Sequence, residues 1–303
     1  MTGALLAASA LLFAAPSGDG VIEPLVARTY DVAASSDAVV AASEAGIVIL
    51  SPDSARRVGL LALKGTALRV DRRGGLAFAS LGPDGVAAVD VSDLAKPRLL
   101  SVLATASAAL ATAGSEGALA VAEGSAGVAI VDASDPLTPK RLSLLRIGGH
   151  CRGVAVHGDL LLVAASGTGL VTVDLSDPAR PRRLGLLQIG GSAEDVVFAG
   201  EGLAVVAAGT GGAVVVDVAD PARPAVRGVF PARDTVRGVA VKGDRLAVAD
   251  GSFGVALASI ADPGAPSEIR RDKTKGQAIR VAFTPEGRVL VAADSSGVLL
   301  LGE

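Results

Sequence analysis

The sequence has no tryptophan and no asparagine, and its 303 residues include one cysteine, two histidines and only 2% aromatic residues. A single cysteine, Cys151, excludes an internal disulfide. Histidine, cysteine and asparagine are frequent ligands in metal sites, and their scarcity leaves few side chains that could form a metal site. We therefore expect no bound metal and no other cofactor.

Charge of one sign is also lacking. The formal net charge is −3, from 28 Lys and Arg against 31 Asp and Glu. A chain without a basic excess has no strong overall attraction to nucleic acid. We predict a monomer whose partner is a protein or a small ligand and not a nucleic acid.

Long hydrophobic runs are missing beyond the first residues. Ala4–Ala15 is apolar over the length of a signal-peptide core, and Pro16-Ser17-Gly18 follows it. No Lys or Arg precedes this run and no well-formed cleavage site follows it, which leaves an N-terminal strand or a misassigned start as the alternative. We expect residues 1–20 to be a signal peptide that directs residues 21–303 to the periplasm, the cell surface or the medium. If the leader is uncleaved or misassigned, a cytoplasmic location follows. No later run is long enough for a transmembrane span.

A short stretch, GLVTVDLSDPARP at Gly169–Pro181, returns at a fixed interval through most of the chain. Copies begin with a glycine, and the glycines lie 39 to 43 residues apart; they are residues 46, 85, 127, 169, 212, 254 and 297. Self-similarity at a fixed period of this size indicates a repeat architecture. Seven units follow from the count.

Each unit consists of short apolar runs separated by Gly-Asp, Gly-Ser or Asp-Pro. In the sixth unit these runs predict strands a, b, c and d at 238–241, 246–249, 254–260 and 266–270. Helical repeats of similar period are disfavoured because proline and glycine recur in every unit. Four strands in about 42 residues are typical of a propeller blade. The sequence therefore predicts an all-β, seven-bladed β-propeller of four-stranded antiparallel blades.

The two ends of the chain predict how the ring closes. The seventh unit stops on strand c, at Gly297–Leu301, and so lacks its outer strand. The segment Glu23–Tyr30 precedes the first strand a and resembles a strand d such as Pro181–Leu187. We expect this N-terminal strand to complete the last blade, which would remove an open sheet edge.

The runs VxVDxSDPxxP and RGVAV, with the DG or GS turn before strand c, resemble the LVIVD-repeat family of bacterial and archaeal β-propellers. The resemblance extends over residues 23–303 and is sharpest in blades three to six. It implies a propeller, often on an exported or surface protein, and it implies no shared catalytic residue.

The repeated carboxylates and basic residues have structural interpretations. The Asp of each VD step and the following Ser-Asp-Pro are expected to order the c–d turn through bonds to backbone N–H groups. A calcium site is disfavoured because each such Asp belongs to a different blade. Basic residues on strands d, such as Arg182 and Arg183, are expected to block edge pairing; a positive rim that meets an anionic surface is the alternative.

Candidate binding residues come together at one end of the predicted channel, where the d–a and b–c connections meet; we call this end the top face. Arg152, Glu194 and Arg237 fall at one equivalent position just before strand a in blades four, five and six, with Arg280 one step inside. Further polar residues lie near them in the alignment: His150, Asp195, Asp234 and Gln277, and on the b–c turns Asp84, Glu123, Asp250 and Asp294. This group predicts either a clamp for a carboxylate or phosphate or an inter-blade ion-pair ring. The ring is favoured, since RGVAV is itself part of the repeat.

The sequence gives little support for an enzymatic function. No nucleophile elbow, P-loop or dinucleotide-binding motif occurs. His150 and His157 are expected near opposite ends of one strand, about 23 Å apart at 3.3 Å per residue, which is too far to share a metal. Two hypotheses remain: a non-catalytic scaffold that presents a loop face, which we favour, and a lactonase-like or hydrolase-like enzyme. The second would need a divalent metal at the channel mouth, on Glu194, Asp195, Asp84 or Asp250.

Overall fold

The computed structural model describes residues 28–54, 56–115 and 117–302, and these residues form a ring of seven β-sheets. Six sheets have four antiparallel strands in simple up-and-down order, and the seventh has three strands in the described residues. No helix occurs in these ranges. The predicted all-β, seven-bladed propeller is confirmed.

The strands follow the predicted a, b, c, d order in blades one to six, and blade seven has strands a, b and c in the described residues. In blades one to four they are β1 (Thr29–Ala34), β2 (Val39–Ser43), β3 (Gly46–Leu50), β4 (Arg57–Leu61); β5 (Arg69–Arg73), β6 (Leu76–Ser80), β7 (Val86–Asp90), β8 (Arg98–Leu103); β9 (Ala111–Ser115), β10 (Ala118–Ala122), β11 (Val128–Asp132), β12 (Lys140–Leu145); β13 (His150–His157), β14 (Leu160–Ser166), β15 (Gly169–Asp174), β16 (Arg182–Leu187). In blades five to seven they are β17 (Asp195–Phe198), β18 (Leu203–Ala207), β19 (Ala213–Asp217), β20 (Ala225–Phe230); β21 (Val236–Lys242), β22 (Arg245–Asp250), β23 (Val255–Ser259), β24 (Ser267–Asp272); β25 (Arg280–Phe283), β26 (Val289–Ala292), β27 (Val298–Leu301).

The hydrophobic core lies between blades. Alternate residues of a strand point to opposite faces of its sheet, and in β14 Leu161 and Val163 pack against blade three while Leu162 and Ala164 pack against blade five. The same division gives seven buried clusters, one between each pair of neighbouring blades. Because both faces are covered, the middle strands read as continuous apolar runs.

The glycine that opens strand c has a steric cause. Gly169 has φ +114°, a backbone conformation that L side chains rarely adopt, and a Cβ on it would lie 2.2 Å from the Leu187 carbonyl oxygen of strand d. The equivalent glycines of blades one to three, five and six have the same contact with their own strand d, at 2.1 to 2.3 Å. Glycine therefore recurs once in each of these blades because the carbonyl oxygen of strand d lies too close to the start of strand c for any side chain.

The c–d turns, which have the pattern Asp-x-Ser-Asp-Pro in blades three and four, have the predicted structural role. Asp174 accepts the backbone N–H of Ser176 at 2.9 Å, Asp177 accepts that of Ala179 at 3.1 Å, and Arg182 of strand d pairs with Asp174 at 2.7 Å. Blades two, three and five repeat the first of these bonds. In these four blades the carboxylates order the turns through bonds to backbone N–H groups.

Blade seven packs against blade one and closes the ring. The N–H of Thr29 donates to the carbonyl of Asp294 at 3.1 Å, and Val32 shares a buried cluster with Leu290. Thr29 and Tyr30, which the sequence assigned to an outer strand, belong to the inner strand β1. Residues 23–27 lie outside the described residues, as do residues 1–20, so the N-terminal strand of the last blade stays a prediction.

Deletion of residues 1–27 tests this prediction, since it leaves β1 intact. We expect a markedly lower melting temperature, because the edge of β27 would lose its strand partner. Thermal unfolding followed by circular dichroism measures the effect. A melting temperature equal to that of the full chain would contradict closure by the N-terminal strand.

Candidate functional site

A layer of four charged side chains crosses the channel just inside the top face. Arg69 of blade two places Nη2 at 2.9 Å from Oδ1 of Asp195 in blade five, and Nε of Arg280 in blade seven lies 3.7 Å from Oδ2 of the same carboxylate. Asp31 of blade one is buried beside them and accepts the N–H of Val70 at 3.0 Å. Two acids and two bases thus balance in charge where the seven inner strands converge. We call these four residues the charged layer.

All four residues of the charged layer occupy the same position of strand a in their blades. The other three blades have a small residue at that position. Each of the four charged residues is followed by a valine of strand a, as in Asp195-Val196, and the same position holds Ala111, Gly153 and Gly238 in blades three, four and six. A Cβ on Gly153 would lie 2.9 Å from Cα of Asp195, and one on Gly238 would lie 2.8 Å from Cδ of Arg280. Glycine at these two positions therefore leaves the space that Asp195 and Arg280 occupy.

Burial controls the electrostatics of the charged layer. It raises the pKa of Asp31, against the opposing effect of Arg69 and Arg280. Burial, and then the neighbouring charge of Arg69, lowers the pKa of Arg280 to about 10. Burial also acts to lower the pKa of Arg69. The charges of Asp195 and Asp31 outweigh this effect, so the pKa of Arg69 is raised. Removing one base from such a cluster leaves a buried carboxylate without compensation.

The raised pKa of Asp31 predicts a pH dependence. The folded protein holds the Asp31 proton to a higher pH than the unfolded chain, so ionisation of this group costs stability as pH rises from about 4 through its native pKa. Asp31→Asn removes that cost. We expect the stability of Asp31→Asn relative to the natural protein to improve between pH 4 and pH 7, measured by urea unfolding. A difference that does not change with pH would contradict the assignment.

The predicted top-face residues are only partly brought together. Arg152 pairs with Glu194 at 3.0 Å between blades four and five, and Arg237 donates from Nη1 to Oε1 of Gln277 at 3.0 Å between blades six and seven. Asp195 and Arg280 belong instead to the charged layer one step deeper. His150 packs beside Gly124 of the neighbouring blade.

The boundary of strand a differs from the prediction. Arg152 and Arg237 lie inside β13 and β21, not before them, and each is the extra residue of a β-bulge. A bulge leaves one residue out of the ladder and re-aims its side chain. As predicted, His150 and His157 lie at opposite ends of one strand, β13.

Two buried carboxylates fix the loops of the top face. Asp250 is fully buried, accepts the N–H groups of Arg233 at 3.0 Å and Asp234 at 2.9 Å, and pairs with Arg271 at 2.7 Å. Glu123 does the same in blade three, where it accepts the N–H of Ala106 at 2.9 Å and pairs with Arg141 at 3.1 Å. These b–c carboxylates therefore anchor d–a loops and are not free to bind a cation.

A cavity of about 690 Å³ lies in the channel beneath the charged layer. Its walls come from the inner strands of all seven blades, and its lining extends from Asp195 at one end to Lys242 and Pro285 at the other. The four side chains of the charged layer line the end of the cavity that is nearer the top face. Among the described residues, no group of three or more His, Cys, Asp or Glu could hold a metal ion. Within the same ranges, no helix is long and apolar enough to cross a membrane.

Cys151 is fully buried in the cluster between blades three and four, and burial raises the pKa of its thiol to about 11. A thiol that is both protonated and inaccessible does not attack disulfide reagents. We expect no labelling by Ellman's reagent under native conditions and one thiol per chain in guanidinium. Full labelling of the folded protein within minutes would show that this interface opens readily.

Sequence reasoning missed Asp31 and Arg69. Both stand directly before a valine of strand a, where other units have glycine or alanine. A charged residue at that position in four of seven units was the available signal. The alignment singled out the preceding position instead, because RGVAV stands out in the sequence.

The fold defines the class of protein: a seven-bladed β-propeller scaffold. The repeat is more specific, since residues 148–185 and 190–230, blades four and five, match the family model of the LVIVD repeat. The resemblance read from the sequence is thus confirmed at two repeats. No curated protein matches the chain.

Solved structures share the fold at low sequence identity. A chain in the crystal structure of the mitotic checkpoint complex aligns with a TM-score of 0.73 and 14% identity, over 96% of this chain and 98% of that one. The structure of U3-55K gives 0.75 and 13%, over 90% of both chains. The RRP9 WD40 repeats give 0.73 and 12%, over 90% of this chain and 89% of theirs. At these identities the likeness concerns the fold alone.

Proposed function

We propose that this protein is a non-catalytic scaffold that binds a protein partner through its top face. The observation that carries the proposal is the anchoring of the d–a loops by the fully buried carboxylates of Glu123 and Asp250. A surface whose loops are held before binding loses less entropy when a partner docks. The propeller that forms part of a mitotic checkpoint complex supports the same use of the fold.

Three of the four carboxylates that a metal enzyme would need are already engaged. Asp195 is paired with Arg69 and Arg280, Glu194 with Arg152, and Asp250 with Arg271 and two backbone N–H groups. Binding a divalent cation on Asp195 or Asp250 would break buried ion pairs, which is costly. We therefore favour the scaffold over the hydrolase.

Site-specific photocrosslinking tests the proposal. A photoreactive amino acid is placed on the top face at the exposed Phe253 or the half-buried Thr168, or at Leu137 or Arg180 on the c–d turns of the opposite face. We expect crosslinks in the native host from the top positions, to a partner that binds the purified protein in reconstitution. Crosslinks only from the c–d turns would overturn the proposal.

We also propose that the protein is exported, on the strength of the apolar run Ala4–Ala15. Expression with a C-terminal tag, followed by N-terminal sequencing and cell fractionation, tests this. We expect a new N-terminus near residue 20 and protein outside the cytoplasm. An intact N-terminus on cytoplasmic protein would contradict export.

A further inference from the structure

One sector of the top face differs from the rest. The b–c turn of blade six carries Phe253, which is 44% exposed, and no other b–c turn of the described chain carries a large exposed hydrophobic side chain. Basic residues stand on the d–a loops at either side of this turn. We call the group the blade-six patch; it consists of Arg233, Arg237, Phe253, Lys273, Lys275 and Gln277.

Contacts around the turn show that these residues are neighbours. The N–H of Phe253 donates to the carbonyl of Asp250, whose carboxylate in turn holds the backbone of Arg233. On the other side, a Cβ on Gly254 would lie 3.0 Å from Cα of Lys273, and the N–H of Ala278 donates to Gly251 at 2.9 Å. Both basic loops are therefore tied to the turn that presents the phenyl ring.

Positive charge dominates the blade-six patch. Asp234, the carboxylate between its loops, is already engaged at the turn, where it accepts the N–H of Ser252 at 2.8 Å and its hydroxyl at 2.7 Å. Glu268 is shared between Arg233 and Arg271. Neither Lys273 nor Lys275 takes part in an ion pair within the described ranges. Four basic residues thus stand on the segments at either side of the turn that carries Phe253, on a protein whose net charge is −3.

We propose that the blade-six patch binds an acidic peptide segment that also carries a large apolar side chain. This rests on the proposed function and names the chemistry of the partner. An exposed aromatic residue beside arginines is the composition of binding hot spots, and the cations supply complementarity to carboxylates. A nucleic acid is the less favoured ligand because the chain is acidic overall and the patch offers a single ring for base stacking.

The test begins with selection of a phage-displayed library of random 12-residue peptides on the folded, full chain. Selected peptides are synthesised with a fluorescent label, and their Kd is measured by anisotropy at two salt concentrations. The probes dT12 and vesicles of phosphatidylglycerol are measured alongside. We expect selected peptides rich in Asp and Glu with an aromatic or aliphatic residue, and binding that weakens as salt rises.

Variants then locate the binding site. Phe253→Ser, and Lys273→Glu combined with Lys275→Glu, are expected to weaken peptide binding about 10-fold or more. The matched controls, Leu137→Ser and Arg180→Glu combined with Arg223→Glu, change exposed residues on the opposite face and are expected to leave the Kd unchanged. All of these residues are exposed, and equal melting temperatures verify that the variants fold.

The outcomes separate this inference from the proposed function. Peptides without acidic excess, no selected peptide at all, or tighter binding of dT12 or vesicles at the patch would overturn the inference. Peptides whose binding is insensitive to both sets of variants would also overturn the inference. In each of these cases, photocrosslinks from the top face would still support the scaffold proposal. Peptides sensitive only to the control variants, together with crosslinks from the c–d turns alone, would overturn both.

Discussion

Gly169→Ala is expected to destabilise the protein by about 3–5 kcal/mol and to lower its melting temperature by about 10 °C. The substitution places a methyl group 2.2 Å from the Leu187 carbonyl oxygen at a residue with φ +114°. The cost of backbone strain and the cost of overlap with strand d then both contribute to the loss of stability. Neither can relax locally, because strands c and d are held together by the ladder between β15 and β16. Urea unfolding followed by circular dichroism measures the loss.

Gly167→Ala is the matched control. Gly167 lies in the same b–c turn with φ +81°, but a Cβ there meets no heavy atom within 4 Å. Only the backbone cost of about 1–2 kcal/mol is expected. Equal losses for the two variants would show that the approach of the strand d carbonyl does not explain the glycine of the repeat.

Arg69→Met is expected to cost about 3–5 kcal/mol, since it leaves the buried carboxylates of Asp31 and Asp195 with a single base, Arg280. The Arg69 side chain is 14% exposed in its ion pair. Arg182 makes an even shorter ion pair, 2.7 Å to Asp174, but its side chain is 75% exposed. For an exposed pair of this kind Arg182→Met is expected to cost less than about 1 kcal/mol.

Charge balance can be restored to check the cause of that loss. Arg69→Met combined with Asp31→Asn leaves one acid and one base in the charged layer, so the double variant is expected to be more stable than Arg69→Met alone. Stability is measured by urea unfolding at pH 7. A double variant less stable than Arg69→Met would mean that lost packing, not an uncompensated carboxylate, dominates.

The number and kind of blades were readable from the sequence because local geometry imposes them. Gly169 and its equivalents mark a contact between adjacent strands of one blade, and the Asp-Pro turns mark the end of strand c. Both depend on residues close together in the chain. Their spacing therefore carries over directly into the architecture.

The charged layer was not predictable in the same way. Arg69 and Asp195 are 126 residues apart, and they meet because the ring brings blade two and blade five across a narrow channel. Which of seven equivalent positions face each other depends on the curvature of the whole ring. Arg152 and Arg237 were misplaced relative to strand a for a local reason, since a β-bulge adds a residue that period counting does not see.

The location of the hydrophobic clusters between the blades, and not within them, has a consequence for cooperativity. An arc of seven sheets has six junctions, whereas the closed circle has seven, so circularisation adds one more apolar junction without lengthening the polypeptide. Each sheet also shares its interior with two neighbours. Loss of any one sheet would expose two junctions together, and the penalty for partial unfolding is correspondingly steep.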